Sequence, residues 1–423
     1  VEGFESDDIT VFDISEPSRP VLLNEIRVTP GDGGFLVTFD TGGEIFPFYA
    51  ATSSAAIMPA AIVADIASQL ADPTNVGRYV IVAGDGLEAE AALLADYRSQ
   101  QGLSAMVART ADIYDEFNGG IKSPWAIHDF LRQAAETWAE PPENVFLVGD
   151  GSLDHRGVWG EGEDLVPALM AVTDDGLVPS DNLMADWQGN DGVPEVSIGR
   201  LPAQSAAELA DFRDKVIEFE AGSGEWKRQA LWLADAADSG GEFSDDLQAL
   251  VEGMPEGYNN QRIMVDRLGA AAARQQTLES WNDGAAMVHF LGHGAIDFIA
   301  NSGLLETGDV AGMTNGERAP MLSALTCMVG RFDIPSYDIL SEALVHKDGG
   351  GAIGVWSPSA FSMNADAALL GGYQIEALAS GDHQTIGDSV REALAAYAAS
   401  GHGDPAVQRI FILLGDPATR IDW

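Results

Sequence analysis

A single cysteine, Cys327, occurs in the 423 residues, and it sits at the end of an apolar run, Met321 to Leu325, followed by Thr326. His293 stands 34 positions earlier at the end of a matching run, Met287 to Leu291, within Gly292-His293-Gly294. Two buried strands ending this way deliver a thiol and an imidazole to one sheet edge. Cysteine attacks carbonyl carbon as thiolate, so it needs a neighbour that takes its proton. Histidine does this and later returns the proton to a leaving amine. Gly294 allows close backbone approach, and its N–H together with that of Cys327 forms a candidate oxyanion hole. The plain alternative is that Cys327 packs as a small apolar side chain, the usual fate of a free cysteine.

Composition narrows what such a pair serves. The chain carries 22 lysine and arginine residues against 66 aspartates and glutamates, a formal charge of -44. Such a surface repels nucleic acid and anionic membranes. It suits salty or calcium-containing water, where ions screen the self-repulsion, although an acidic soluble protein of any kind would share it. One cysteine excludes an intrachain disulfide framework and a cysteine-rich metal site. No run of 18 apolar residues exists, so no membrane-spanning helix is expected. Val1 follows no basic-then-apolar leader, which leads us to expect a piece of a longer, processed precursor.

The elements that must position the pair follow in order. Residues 1–75 are expected to form a small β-rich module with strands at 9–13, 21–23, 35–39 and 44–49, then a helix over 60–70. From Tyr79 strand and helix alternate: strands at 79–83, 105–108, 145–150 and 195–199, and helices at 87–101, 124–138 and 206–220, the last two capped by Ser123 and Ser205. A polar loop covers 151–194. A second round runs from Gln229 through the His and Cys strands to Pro417, with helices at 245–252, 270–282, 339–346, 364–379 and 385–399. Alternation of this kind makes an α/β protein with a parallel sheet covered on both faces and sites at strand carboxyl ends. The expected division is 1–75, 76–225 and 226–423, the last carrying the His/Cys dyad.

At these residues the chain resembles the gingipain-like cysteine peptidases of the caspase-like clan. The resemblance rests on Asp13-Ile14-Ser15-Glu16-Pro17 with Pro20, Tyr114-Asp115-Glu116-Phe117 before Pro124-Trp125-Ala126-Ile127, and Asn144 to Asp150 with Asp154. It continues through Pro179-Ser180-Asp181-Asn182, Pro194 to Pro202, Gly292-His293-Gly294, Thr326-Cys327 and Leu414-Gly415-Asp416-Pro417, covering essentially the whole chain. It implies a caspase-like α/β/α sandwich of two successive subdomains behind the β-rich module. It also implies a secreted or cell-surface endopeptidase with Cys327 as nucleophile, His293 as base and acid, and Glu195 orienting the imidazole. The substrate would be a protein or peptide, and no cofactor would be needed for catalysis. A rival expectation is a surface or assembly scaffold that keeps the fold and is inactive or only self-processing.

Where the family commonly has tryptophan soon after His-Gly, this chain has Phe298. Phe298, Trp356, Ser357 and Phe361 are the expected walls of the substrate pocket. Asp333, Asp297 and Asp181 are candidate carboxylates for a basic P1 side chain. In Asp186 to Gly192, oxygens of Asp186, Gln188, Asn190 and Asp191 alternate in a way that suits a structural calcium ion, though an acidic final anchor is missing. A self-capped turn of Asn, Asp and Gly is the alternative there.

Overall fold

The computed structural model describes residues 1–17, 19–43, 47–59, 61–62, 64, 66–160, 164–380 and 385–421. Contacts divide the chain into two units, Val1–Ser68 and Gln69–Trp423. The first holds strands β1 (Glu2–Phe4), β2 (Ile9–Asp13), β3 (Val21–Leu22), β4 (Ile26–Gly31), β5 (Gly34–Phe39) and β6 (Phe48–Thr52). They pair in two three-stranded sheets, β1-β5-β4 and β3-β2-β6, with Ile9, Val11 and Val37 buried. Residues 44–46 of the expected strand over 44–49 lie outside the described residues, and β6 starts at Phe48. Ala60, Val63 and Asp65 of the expected helix also lie outside them, and the described residues between 61 and 70 are not helical. Ile62 and Ile66 are almost fully exposed, so a helix there has no apolar face to bury, and a short helix without one is marginal.

The boundary falls at Ser68 rather than at 75, because residues 69–75 are tied into the second unit. Trp138 Nε1 donates to the Leu70 carbonyl at 2.8 Å and Glu116 accepts from the Leu70 amide at 2.8 Å.

The second unit is built on β7 (Tyr79–Ala83), β8 (Ala105–Arg109), β9 (Asn144–Val148), β10 (Met170–Thr173), β11 (Gly176–Pro179), β12 (Ser197–Leu201), β13 (Gln229–Ala234), β14 (Asn259–Met264), β15 (Met287–Leu291), β16 (Gly294–Ala295), β17 (Phe298–Ile299), β18 (Leu305–Glu306), β19 (Met321–Leu325), β20 (Gly354–Pro358) and β21 (Phe411–Leu414). Ten of these form one sheet in the order β14-β13-β15-β19-β20-β21-β12-β9-β7-β8. The two expected halves therefore share a continuous sheet. Strand β21 joins them, parallel to β12 and antiparallel to β20. The halves consequently run in opposite directions, and the carboxyl ends of β13, β15, β19 and β20 share an edge with the amino ends of the first-half strands.

Alternation along the strands fixes the layers. On β7 and β9, Tyr79, Ile81, Ala83, Phe146 and Val148 pack into one cluster with the helices at Glu88–Gln100 and Ala206–Ala221. Val80, Val82, Val145 and Leu147 pack into another with Ile127, Phe130 and Leu131 of the helix Pro124–Thr137. Strands buried on both faces read as unbroken apolar runs, which is why they stand out in the sequence. Ser123 and Ser205 cap their helices, accepting from the Trp125 and Glu208 amides. The stretch read as a polar loop contains the β10–β11 hairpin, whose Thr173–Gly176 turn carries Asp174 and Asp175 at its tip.

Candidate active site

The site begins with register. Ala234 of β13 pairs with Leu291 of β15, and Leu291 pairs with Leu325 of β19. Three adjacent strands thus end level, and the residues that follow them, Asp235 onward, Gly292-His293 and Thr326-Cys327, emerge side by side. The turn after Cys327 is sharp: Met328 has φ +58°, a left-handed conformation rare outside glycine.

His293 is held from three directions. Its Nε2 lies 2.9 Å from Asp238 Oδ2 and 3.1 Å from Oδ1. A carboxylate can only accept, so Nε2 carries the proton and Nδ1 keeps a free lone pair. The Phe243 ring meets the imidazole edge-on at 5.2 Å. Gly240 covers the third side, and a Cβ there would come within 2.9 Å of Cε1, so only glycine lets this turn close on the ring. Asp238 is set by its own turn: it accepts from the Gly240 amide at 2.7 Å, and Asp238 and Gly241 exchange backbone hydrogen bonds. That amide, and then the His293 pair, hold the Asp238 carboxyl below the ordinary carboxylate range. The imidazole side chain is 35% exposed, so the pair is reachable from solvent.

Cys327 Sγ lies 3.4 Å from both the amide and the carbonyl of Ser362, accepting from one and donating to the other. Burial pushes the thiol up, partly opposed by the Ser362 hydrogen bonds and reinforced by the negative charge of Asp175. His293 and Cys327 line one cavity of about 230 Å³ together with Phe243, Thr326, Phe361 and Met363. No hydrogen bond joins thiol and imidazole among the described residues. A Cβ on Gly294 would meet Thr326 Oγ1 at 2.5 Å and the Cys327 carbonyl at 3.3 Å, so this backbone packs directly on the Cys strand. The Cys327 amide has no acceptor among the described residues.

Glu195 is not brought to this pair. Its carboxylate accepts from the Trp187 amide at 2.7 Å and the Gln188 amide at 3.0 Å. It precedes β12, which is four strands from β15 in the sheet, a separation of about 19 Å at ~4.8 Å per strand. The residue that meets His293 is Asp238, which the sequence reading missed. Its signal was present: Ala230 to Ala234 is an apolar strand like the other two, and Asp235 and Asp238 with Gly240-Gly241 follow it.

Three of the four expected pocket residues lie outside this cavity. Trp356 is wholly buried against Phe411, ring centroids 5.5 Å apart, and Ser357 is wholly buried beside Ser341, because β20 extends to Pro358 and both lie inside the strand. Phe298 pairs with Ala295 and Glu306 in the small sheet β16-β17-β18 and is not among the residues around the cavity. Phe361 does line it. The P1 candidates are engaged elsewhere: Asp181 bonds Arg200 twice at 2.7 Å, Asp333 accepts from Arg331 at 3.3 Å, and Asp297 accepts from Tyr337 at 3.3 Å.

The Asp186 to Gly192 loop closes on itself. Asp186 accepts from Gly192 at 2.7 Å and Asp191 from Val193 at 3.0 Å, while the Gln188 amide goes to Glu195 and Asn190 turns the chain with φ +53°. One oxygen each of Asp186 and Asp191 is thus spent on a backbone donor, while Asp186 Oδ1 is buried without a hydrogen-bond partner. No group of three or more His, Cys, Asp or Glu converges on a metal position among the described residues.

The model of peptidase family C25 matches residues 72–422. The chain belongs to peptidase family C25. Gingipain R2 of Porphyromonas gingivalis is 25% identical over 284 residues, covering 64% of this chain and 35% of that protein. For gingipain R1 of the same organism the figures are 25%, 64% and 26%. The chain thus spans about a third or less of the length of these relatives. Among solved structures, the Arg specific cysteine proteinase gingipain R superposes with a TM-score of 0.69 at 21% identity, covering 82% of this chain and 78% of that one. Dimeric latent PorU from P. gingivalis gives 0.53 at 17% identity, over 99% of this chain and 37% of that one. This C25 chain therefore has the caspase-like sandwich expected from its sequence. No described helix is long and apolar enough to cross a membrane.

Proposed function

We propose that the chain is a cysteine endopeptidase in which Cys327 is the nucleophile, His293 the general base and acid, and Asp238 the residue that orients the imidazole. The observation that carries this reading is the level ending of three adjacent strands, which gathers the thiol, the imidazole and its carboxylate around one open cavity. In the first step Nδ1 of His293 takes the thiol proton as Sγ adds to the scissile carbonyl carbon. The oxyanion so formed is met by the amides of Cys327 and Gly294. The imidazolium, steadied by Asp238, then gives its proton to the leaving amine as the C–N bond breaks, leaving a thioester on Cys327. Water activated by the same nitrogen hydrolyses the thioester and restores the thiol.

Burial of the thiol makes the imidazole necessary: at rest Cys327 is a neutral thiol, and the proton leaves as the substrate is attacked. The pocket below it is walled mainly by Phe243, Leu325, Phe361, Met363 and Ala367, with Asn364 as a polar end. Asp246 stands behind Asn364, bonded to it at 2.7 Å. An extracellular or cell-surface setting fits the charge of -44, which dissolved ions would screen.

Because Cys327 is the only cysteine, labelling assigns the nucleophile without ambiguity. A peptidyl electrophile should add one equivalent to the chain and nothing to Cys327→Ala. Addition to the alanine variant, or none to the parent at concentrations that label free cysteine, would overturn the proposal.

A further inference from the structure

A second and larger cavity, about 600 Å³, adjoins the first and shares Phe361, Ser362 and Met363 with it. Resting on the peptidase reading above, we propose that this groove is a substrate subsite that selects a lysine or arginine side chain on the acyl side of the scissile bond, before the residue that enters the cavity under Cys327.

Charge is the first argument. Four carboxylates, Asp174, Asp175, Asp366 and Asp404, line the groove against one cation, Arg409. None of the four has an ion-pair partner among the described residues, in contrast to acids elsewhere such as Asp181 and Asp416. Asp366 and Asp404 spend oxygens on the Asp404 and Ala406 amides, which fixes their position without neutralising them. The walls supply the second argument: Phe361, Met363 and Val172 are 58%, 70% and 73% exposed, and an apolar wall beneath a carboxylate rim suits the aliphatic stem and charged head of a long basic residue.

The wall is also fixed. Asp174 and Asp175 occupy a two-residue turn closed by Thr173 Oγ1 on the Gly176 carbonyl at 3.0 Å. The hairpin's base is pinned, with Ser359 Oγ bonding the Pro179 carbonyl at 2.7 Å and Asn182 Nδ2 bonding the Gln408 and Phe411 carbonyls at 2.6 and 2.9 Å.

Position on the substrate follows from the sheet. The leaving amine must lie toward β15, where His293 protonates it. The groove lies on the other side of Cys327, walled by the residues after β20 and before β21, and so receives the acyl portion. Contact with the reaction centre is direct, since Ser362 touches Sγ through both its amide and its carbonyl.

The test uses fluorescent peptides in which one lysine, or norleucine of the same length, moves through the three positions before the cleaved residue. Binding is read on the Cys327→Ala chain and cleavage on the parent. Lysine at one of these positions should bind about five- to tenfold tighter than norleucine at 0.1 M salt, as expected for two or three screened ion pairs. The ratio should collapse at 1 M salt and in the double variant Asp174→Asn/Asp175→Asn. Equal binding of lysine and norleucine, or a ratio that survives the double variant, would overturn the subsite. Discrimination in binding with no cleavage of any peptide would instead remove the peptidase reading and leave the groove standing.

Discussion

For single residues, the proposed chemistry depends on which carboxylate serves His293. Asp238 contacts the imidazole, and Glu195 is committed to the Trp187 and Gln188 amides. Asp238→Asn should therefore lower kcat on a peptide substrate by about ten- to a hundredfold, part of the 10²–10⁴ that a positioned acid–base contributes, with KM and thermal midpoint little changed. Glu195→Gln should leave kcat as it was and shift the midpoint instead; steady-state kinetics with a melting curve separates the two. The raised Cys327 thiol makes a second prediction. Alkylation by iodoacetamide should be slow at pH 7 and climb with pH through and above the ordinary cysteine value, because the reactive thiolate appears only there. A rate already at its plateau below pH 7 would show a preformed thiolate instead. Cys327 and His293 were legible as a pair because each is a reactive side chain ending an apolar run. Asp238 was overlooked although it follows an apolar strand of the same kind, because it lies four residues beyond that strand and only the register of β13 with β15 brings it to the ring.

Elements explain why expected pocket residues differ in kind. Trp356 lies within β20, wholly buried against Phe411, so Trp356→Ala should cost about 3–5 kcal/mol of stability, whereas Phe361→Ala should raise KM with the midpoint nearly intact. Denaturant melts and kinetics on the two variants check this contrast. The order of strands and helices was readable because strands buried on both faces give continuous apolar runs and serine caps mark two helix starts. The length of β20 was not, because Ser357 and Pro358 read as a strand end although their side of the sheet is covered by β21. The β10–β11 hairpin was hidden for a related reason: Val172 and Leu177 are exposed, so the hairpin lacks the alternation of a half-buried strand pair.

Over the whole molecule, two opposed half-sheets are joined through β21 and braced by buried ions. Arg98 meets Asp416 at 2.5 Å and Glu220 at 2.7 Å, and all three side chains are almost fully buried. Removing one partner strands the others, so Asp416→Ala should cost about 3–5 kcal/mol, more than an exposed pair such as Arg78–Glu143 would. The formal charge of -44 acts over longer distances. Raising salt from 0.1 to 1 M shortens the screening length from about 10 to about 3 Å, so the thermal midpoint should rise with sodium chloride. A midpoint that falls would show that attractive pairs outweigh the net repulsion. Composition made this legible at once, while the sharing of one sheet by both halves depends on pairings between strands more than 200 residues apart, which no local pattern records. Hydrolysis of peptide bonds through Cys327 at this sheet edge is tested most directly by turnover of a quenched-fluorescent peptide library by the intact chain beside Cys327→Ala and His293→Ala. The parent should cleave, Cys327→Ala should show no detectable turnover, and His293→Ala should lose about 10²–10⁴; turnover that persists without the thiol, or a parent that cleaves nothing, would contradict a Cys327 peptidase.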